Sequence, residues 1–306
     1  MLLISRRAPR SYLLGAAPAH EVLMQGKVCL VTGATAGIGQ VAATELCRNG
    51  AHVVIVGRSS ERCDATLASI RTAAGADRVD SLVADLSSLS EVRRLAALVR
   101  ERYPRVDVLL NNAGAMFWNR MESADGIEKT FALNHLSYFA LTNLLLPLLK
   151  SSAPARIINV ASDAHKGAFI NFNDIQFTQK YSGWKAYQQS KLANIMFTYE
   201  LERRIDGSRV TVNALHPGFV RTNFLQVFND APAGWLIRSL ANVVALSPEK
   251  GARTSIYLAS SPDVLGVSGR YFVKEKPVKS SPQSRDQAAW ERLWRLSMEM
   301  TGVGES

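Results

Sequence analysis

Tyr187 and Lys191 stand four residues apart in the segment W-K-A-Y-Q-Q-S-K. On a helix, positions i and i+4 share one face. The lysine ammonium can then sit beside the phenol, favour the phenolate and lower a pKa that starts at about 10. Such a pair can hand a proton to a substrate oxygen or take one away. The same spacing is common on solvated helices, so the pair gains meaning only from what surrounds it.

Those surroundings begin with the turn T-G-A-T-A-G-I-G at 32–39. The apolar run Val28–Val31 leads into Gly33, Thr35, Gly37 and Gly39, and a helix opens near Ile38. Glycines let a backbone approach a pyrophosphate closely, and a helix N-terminus offers it amide donors and a positive dipole. The spacing G-x-x-x-G-x-G is neither G-x-G-x-x-G nor the P-loop pattern, but its place between a strand and a helix points to a dinucleotide. A second strand ends V-V-I-V-G-R-S. Where an NAD site carries an acid for the ribose 2′-hydroxyl, this chain has Gly57, followed by Arg58 and Ser59. A guanidinium can grip a 2′-phosphate with paired bonds, so NADP is expected in preference to NAD; an ordinary solvated charge is the competing reading of Arg58. Asp85, followed by Leu86 after the third strand, is placed to accept from an adenine amino group or to cap the next helix near Ser88. Asn112, Ala113 and Gly114, in N-N-A-G after the fourth strand, suit a backbone lining a ribose, against a plain turn.

Short apolar runs at Val28–Val31, Val53–Val56, Val79–Val83, Val106–Leu110, Arg156–Val160, Val210–Leu215 and near Tyr271 read as buried strands. Amphipathic helices are expected between them at about 37–49, 61–74, 89–102, 122–150 and 184–206. This alternation predicts a single doubly wound Rossmann-type α/β domain over 24–306, its mostly parallel sheet of about seven strands covered by helices on both faces. Loop-rich inserts are expected at about 163–183 and 222–247.

Composition narrows the function. The chain has 306 residues, 47% apolar and 20% charged, with a net charge of +10. Its basic residues are scattered and never interleave with aromatics in a dense run, so no nucleic-acid partner is expected; a dispersed positive field suits an anionic cofactor or peripheral contact with an acidic membrane. Cys29, Cys47 and Cys63 are odd in number and lack a C-x-x-C, which argues against a disulfide framework or a zinc site and for a reducing, cytoplasmic setting. No metal is expected. The apolar runs are too short for a transmembrane segment, and Leu141–Lys150 reads as a core helix. Residues 1–23 carry Arg6, Arg7 and Arg10 with no acid before Glu21. They read as an extension outside the fold, either an organelle-targeting segment or an upstream start ahead of Met24.

Taken together, the chain resembles the short-chain dehydrogenase/reductase family, and within it the retinol dehydrogenase-like and WW-domain oxidoreductase-like members. The motifs are T-G-A-T-A-G-I-G, N-N-A-G, Asn134 in L-N-H-L, Ser162 in N-V-A-S, Y-x-x-x-K at 187–191 and H-P-G at 216–218, in order across most of residues 27–275. The resemblance implies a catalytic group of Asn134, Ser162, Tyr187 and Lys191. In it Tyr187 is the general acid or base, Lys191 holds the nicotinamide ribose, Ser162 bonds the substrate oxygen and Asn134 completes a proton relay through a water. It also implies that Pro217 and Gly218 turn against the nicotinamide, that Thr222 reaches its carboxamide, and that relatives commonly pair as homodimers through the helices at 122–150 and 184–206. Ala161 replaces the serine usual before the catalytic one. His165 and His216 lack metal-ligand companions and read as structural.

Substrate contacts are expected from Phe117 and Trp118, the 163–183 insert and an aromatic flap containing Phe224, Leu225, Phe228, Trp235 and Leu236. These favour a small lipophilic carbonyl compound or alcohol. A redox-sensing nucleotide-binding protein without turnover is the alternative from another class; an epimerase or dehydratase would favour T-G-x-x-G-x-x-G.

Overall fold

The computed structural model describes residues 24–220 and 246–303. Among them, runs rich in β-branched and aliphatic residues form β1 Val28–Thr32, β2 His52–Gly57, β3 Val79–Val83, β4 Val108–Asn111, β5 Ala155–Val160, β6 Val210–His216, β7 Arg270–Val273 and β8 Lys276–Val278. They make one sheet in the order β3-β2-β1-β4-β5-β6-β7-β8. Every neighbouring pair is parallel except β7 and β8. The doubly wound α/β architecture is therefore as expected, with β8 added as a short antiparallel edge.

Helices α1 Gly37–Arg48, α2 Ser60–Ala74, α3 Leu89–Arg102, α4 Lys129–Ser151, α5 Gly183–Arg204, α6 Pro248–Ser260 and α7 Gln287–Thr301 cover the sheet. Strand side chains alternate between its faces. Cys29, Val31, Val53, Ile55 and Leu110 join one core, while Leu30, Val54, Val56 and Leu109 join the other. Both faces are buried, which is why the strands read as continuous apolar runs.

Two differences from the sequence reading bear on the site. First, α4 begins at Lys129, not near 122. Asp125 and Gly126 make a turn (Gly126 at φ +72°), Glu122 bridges back to Glu128, and the buried Glu128 carboxylate caps the helix by accepting from Thr130 N at 2.9 Å and Phe131 N at 2.7 Å. Its next turn, Ala132–Leu136, is a π-helix, a widening often found where a helix serves a site. Second, α6 and α7 stand where no helix was expected. α7 lies on α4 and α5: Trp294 packs edge-on to Phe139 at 4.9 Å and stacks on Phe197 at 5.9 Å. Arg204 lies 4.4 Å above the same indole. By length and composition α4 could cross a membrane, but 78% of its apolar window is buried against its neighbours, which makes it a core helix here.

The strand order reverses between β1 and β4. Chains leaving those two strands diverge, opening a crevice at the carboxyl edge of the sheet.

Candidate active site

The crevice is floored by the turn after β1. Gly33 and Gly37 hold φ of +64° and +56°, a region that side-chain-bearing residues rarely enter. A Cβ on Gly33 would lie 2.7 Å from Ala113 Cα, and one on Gly39 would lie 2.5 Å from Gly33 O and from Asn112 Nδ2. The turns after β1 and β4 therefore pack backbone to backbone at Gly33 and Ala113. Thr32 Oγ1 accepts from Asn112 N at 2.9 Å and Ala113 N at 3.1 Å, while Asn112 Nδ2 donates to Thr32 O at 2.8 Å. Asn112's amide is thus spent on the turn. At the N-terminus of α1, Ala36 offers no side-chain cap and the first turn holds no acid. By contrast, Ser59, Ser182, Ser247 and Asp286 cap α2, α5, α6 and α7. Uncapped amides beside open glycine backbone fit a phosphate.

The ends of β2 and β3 form the adjoining wall, where Ala84 N donates to Gly57 O at 2.9 Å and Ala34 N to Val56 O at 3.2 Å. A side chain at Gly57 would run into the Thr35 methyl group and, at 2.8 Å, Cys63 Sγ. Arg58 is exposed and makes no hydrogen bond or ion pair among the described residues. Ser59 caps α2, which takes its hydroxyl. Asp85 is exposed, and its Oδ1 accepts from Ser87 N at 2.9 Å and Ser87 Oγ at 2.8 Å; Leu86 is buried beside it.

On the far side of the reversal point the predicted catalytic residues converge. Asn134, in the π-turn, is fully buried; its Oδ1 accepts from Ala115 N and its Nδ2 donates to Ala115 O and Ser190 Oγ, all at 2.9 Å. Ser190 in turn donates to Tyr187 O at 2.8 Å. A Cβ on Gly114 would lie 3.3 Å from Asn134 Oδ1 and 3.4 Å from Lys191 Nζ. Lys191 is buried; its ammonium donates to Val160 O at 2.9 Å and sits 5.7 Å from the Tyr187 ring centre. Ser162, two residues past Val160, stands beside the Tyr187 phenol, close enough to lower its pKa, and its Oγ accepts from Ala164 N at 3.2 Å. Burial dominates the electrostatics: it pushes Tyr187 up to about 12, with Ser162 pulling the other way, and pushes Lys191 down to about 7. Desolvation therefore outweighs the lowering of the phenol that the four-residue spacing suggested.

Pro217 and Gly218 (φ +90°) follow β6, with Leu246 against Gly218 and Leu246 N donating to Phe219 O at 2.7 Å. Thr222 and the aromatic residues 224–236 lie outside the described residues. His216 Nδ1 accepts from Asp163 N at 3.2 Å. Three residues of the mouth were not singled out in the sequence, although Tyr181 and Gly183 fall within the 163–183 insert. Tyr181 donates to Phe117 O at 2.8 Å, and Gly183 packs its backbone on the same carbonyl, fixing the Phe117–Trp118 loop against α5. Trp184 is 45% exposed and stacks on Tyr187 at 6.0 Å. Its place one turn before Tyr187 was the signal available.

The family model for short chain dehydrogenases matches residues 27–233. The chain belongs to the short-chain dehydrogenase family. Retinol dehydrogenase 14 of Mus musculus is 44% identical, the match covering 92% of this chain and 87% of that protein. Polyprenol dehydrogenase of Homo sapiens is 38% identical over 90% of this chain and 86% of its own length. Among solved structures, the Pseudomonas aeruginosa RhlG/NADP active-site complex superposes with a TM-score of 0.67 at 31% identity, covering 84% of this chain and 97% of that one. The chain is thus an oxidoreductase of this family, similar to retinol dehydrogenases.

Proposed function

We propose that the protein is an NADP-dependent oxidoreductase that interconverts a lipophilic carbonyl compound and its alcohol. One observation carries this reading: Ser162, Tyr187 and Lys191 meet beside a glycine cradle whose helix N-terminus is left uncapped. A bound nicotinamide would supply or receive the hydride. Tyr187 gives its proton to the substrate oxygen in reduction and takes it back in oxidation; burial keeps the phenol protonated, ready for the reductive direction. The Ser162 hydroxyl donates to the same oxygen as negative charge develops there. Lys191, freed of bulk water and donating to Val160 O, would hold the nicotinamide ribose, and Asn134 ties the π-turn to Ala115 and, through Ser190, to the backbone of Tyr187.

The residues at the end of β2 favour a 2′-phosphate. Thr35 and Cys63 leave no room for an acid at position 57, and the Arg58 guanidinium has no partner among the described residues. The exposed indole of Trp184, stacked beside the phenol, gives a lipophilic ligand an apolar shelf. Relatives named for retinol and polyprenol fit the same substrate class. A homodimer through α4 and α5 has to use the surface α7 leaves free, since Trp294 already occupies the face of Phe139 and Phe197.

Binding of NADPH and NADH is measured by nucleotide fluorescence, followed by turnover on a panel of long-chain and polyene aldehydes. NADPH is expected to bind more tightly and to be oxidised. Binding without oxidation of either nucleotide across the panel would favour the sensor reading, against which the retained Tyr187 and Lys191 stand.

A further inference from the structure

Ser162 is tied, through the ring of His165 three residues on, to a segment remote from it in sequence. Its backbone carbonyl accepts twice from His165, from the backbone N–H at 3.1 Å and from ring Nδ1 at 2.7 Å. The opposite ring nitrogen, Nε2, accepts the backbone N–H of Ser281 at 3.0 Å. A carbonyl can only accept and an amide N–H can only donate, so the imidazole is neutral with its proton on Nδ1. The ring is fully buried, edge-on to Tyr271 at 5.0 Å.

The segment on the other side of that ring is anchored to α5. Ser280 Oγ pairs with Tyr199 Oη and with Ser284 Oγ, both at 2.7 Å, and Ser284 Oγ donates to Ser281 O at 2.7 Å. Tyr199 lies on the same helix as Tyr187. The imidazole therefore closes a rigid circuit from the Ser162 carbonyl, through Ser281, Ser284, Ser280 and Tyr199, back to the helix that carries the phenol.

We infer that His165 is a positioning residue for the reaction, setting the Ser162 hydroxyl against the Tyr187 phenol by tying the Ser162 carbonyl to a segment anchored on α5. This rests on the proposed roles of Ser162 and Tyr187 at the substrate oxygen. Misplacement of a reacting group by about 1 Å can cost about 10²-fold in rate, so the effect falls on catalysis and leaves the distant glycine cradle alone.

The test compares His165→Asn, His165→Gln and His165→Phe with wild type and Ser162→Ala, using NADPH and an aldehyde that the wild type reduces. An asparagine amide N–H stands near Nδ1 and can keep the Ser162 bond; a glutamine carbonyl stands near Nε2 and can keep only the Ser281 bond. Kcat and kcat/KM are expected to fall together by about 10²-fold in the Phe and Gln variants. Asn should restore most of the loss, and NADPH affinity should hold throughout. Thermal midpoints serve as the control, because a purely structural ring makes activity follow stability. Equal losses in the Asn and Gln variants, or wild-type kcat in the Phe variant, would overturn the inference. Wild-type kcat in Ser162→Ala would instead remove the reading of the serine on which it rests.

Discussion

The turn after β1 is shaped by its own left-handed glycines and pinned to the turn after β4, whereas the turn after β5 is tied to three distant segments, at Tyr271, His216 and Ser281. Gly33 and Gly37 occupy left-handed backbone, and Ala36 leaves α1 without a side-chain cap. Around Ser162, by contrast, Tyr271 donates to Asp163 Oδ1 at 2.9 Å, His216 accepts from Asp163 N at 3.2 Å, and His165 bridges to Ser281. The contrast follows from the task. A phosphate site works by keeping backbone donors unsatisfied until the ligand arrives. A hydroxyl that must meet a forming oxyanion works by being immobilised beforehand, so its surroundings are saturated.

Breaking the saturated side should cost the most catalysis. Ser162→Ala is expected to lower kcat by about 10²–10³-fold, the range for loss of one donor to a developing oxyanion, while nucleotide affinity measured by fluorescence stays near wild type. Breaking the open side should do the reverse. Gly33→Ala forces a Cβ to 2.7 Å from Ala113 Cα at a φ of +64°. A loss of about 1–3 kcal/mol in stability is expected in urea unfolding, along with weaker NADPH binding.

A smaller effect sharpens the electrostatics. Lys191 is lowered to about 7 from 10.5 by burial. Between those values the unfolded chain holds a proton that the native state without nucleotide does not. Stability should therefore rise with pH across that window, and the contribution should be absent below it. Tyr187, raised from 10.0 to about 12, acts with the opposite sign and only above 10. Urea unfolding of wild type against Lys191→Met from pH about 6 to 9.5 should show the wild type gaining stability relative to the variant as pH rises; parallel curves would contradict the buried, readily deprotonated ammonium.

What could be read from the chain divides along the same line. The strand runs, the glycine turn, N-N-A-G and Tyr187/Lys191 are local patterns, and each takes its expected place. The late start of α4 was also written locally, in Ser123–Gly126, but as turn chemistry inside a segment whose apolar residues suggested helix. The role of His165 was not legible. Its Nε2 partner lies 116 residues away in a serine-rich loop with no periodicity, and only tertiary packing brings them together. Trp184 falls between these cases, since helical spacing places it beside Tyr187 while its exposure depends on how Phe117 and Gly183 pack.

The central claim is that the phenol of Tyr187 moves the proton that accompanies hydride transfer. Its most direct test is single-turnover oxidation of NADPH by a reducible aldehyde in wild type and Tyr187→Phe, with nucleotide affinity measured on the same samples. The account expects Tyr187→Phe to bind NADPH as wild type does and to oxidise it about 10²–10⁴-fold more slowly. An unchanged single-turnover rate in that variant would contradict it.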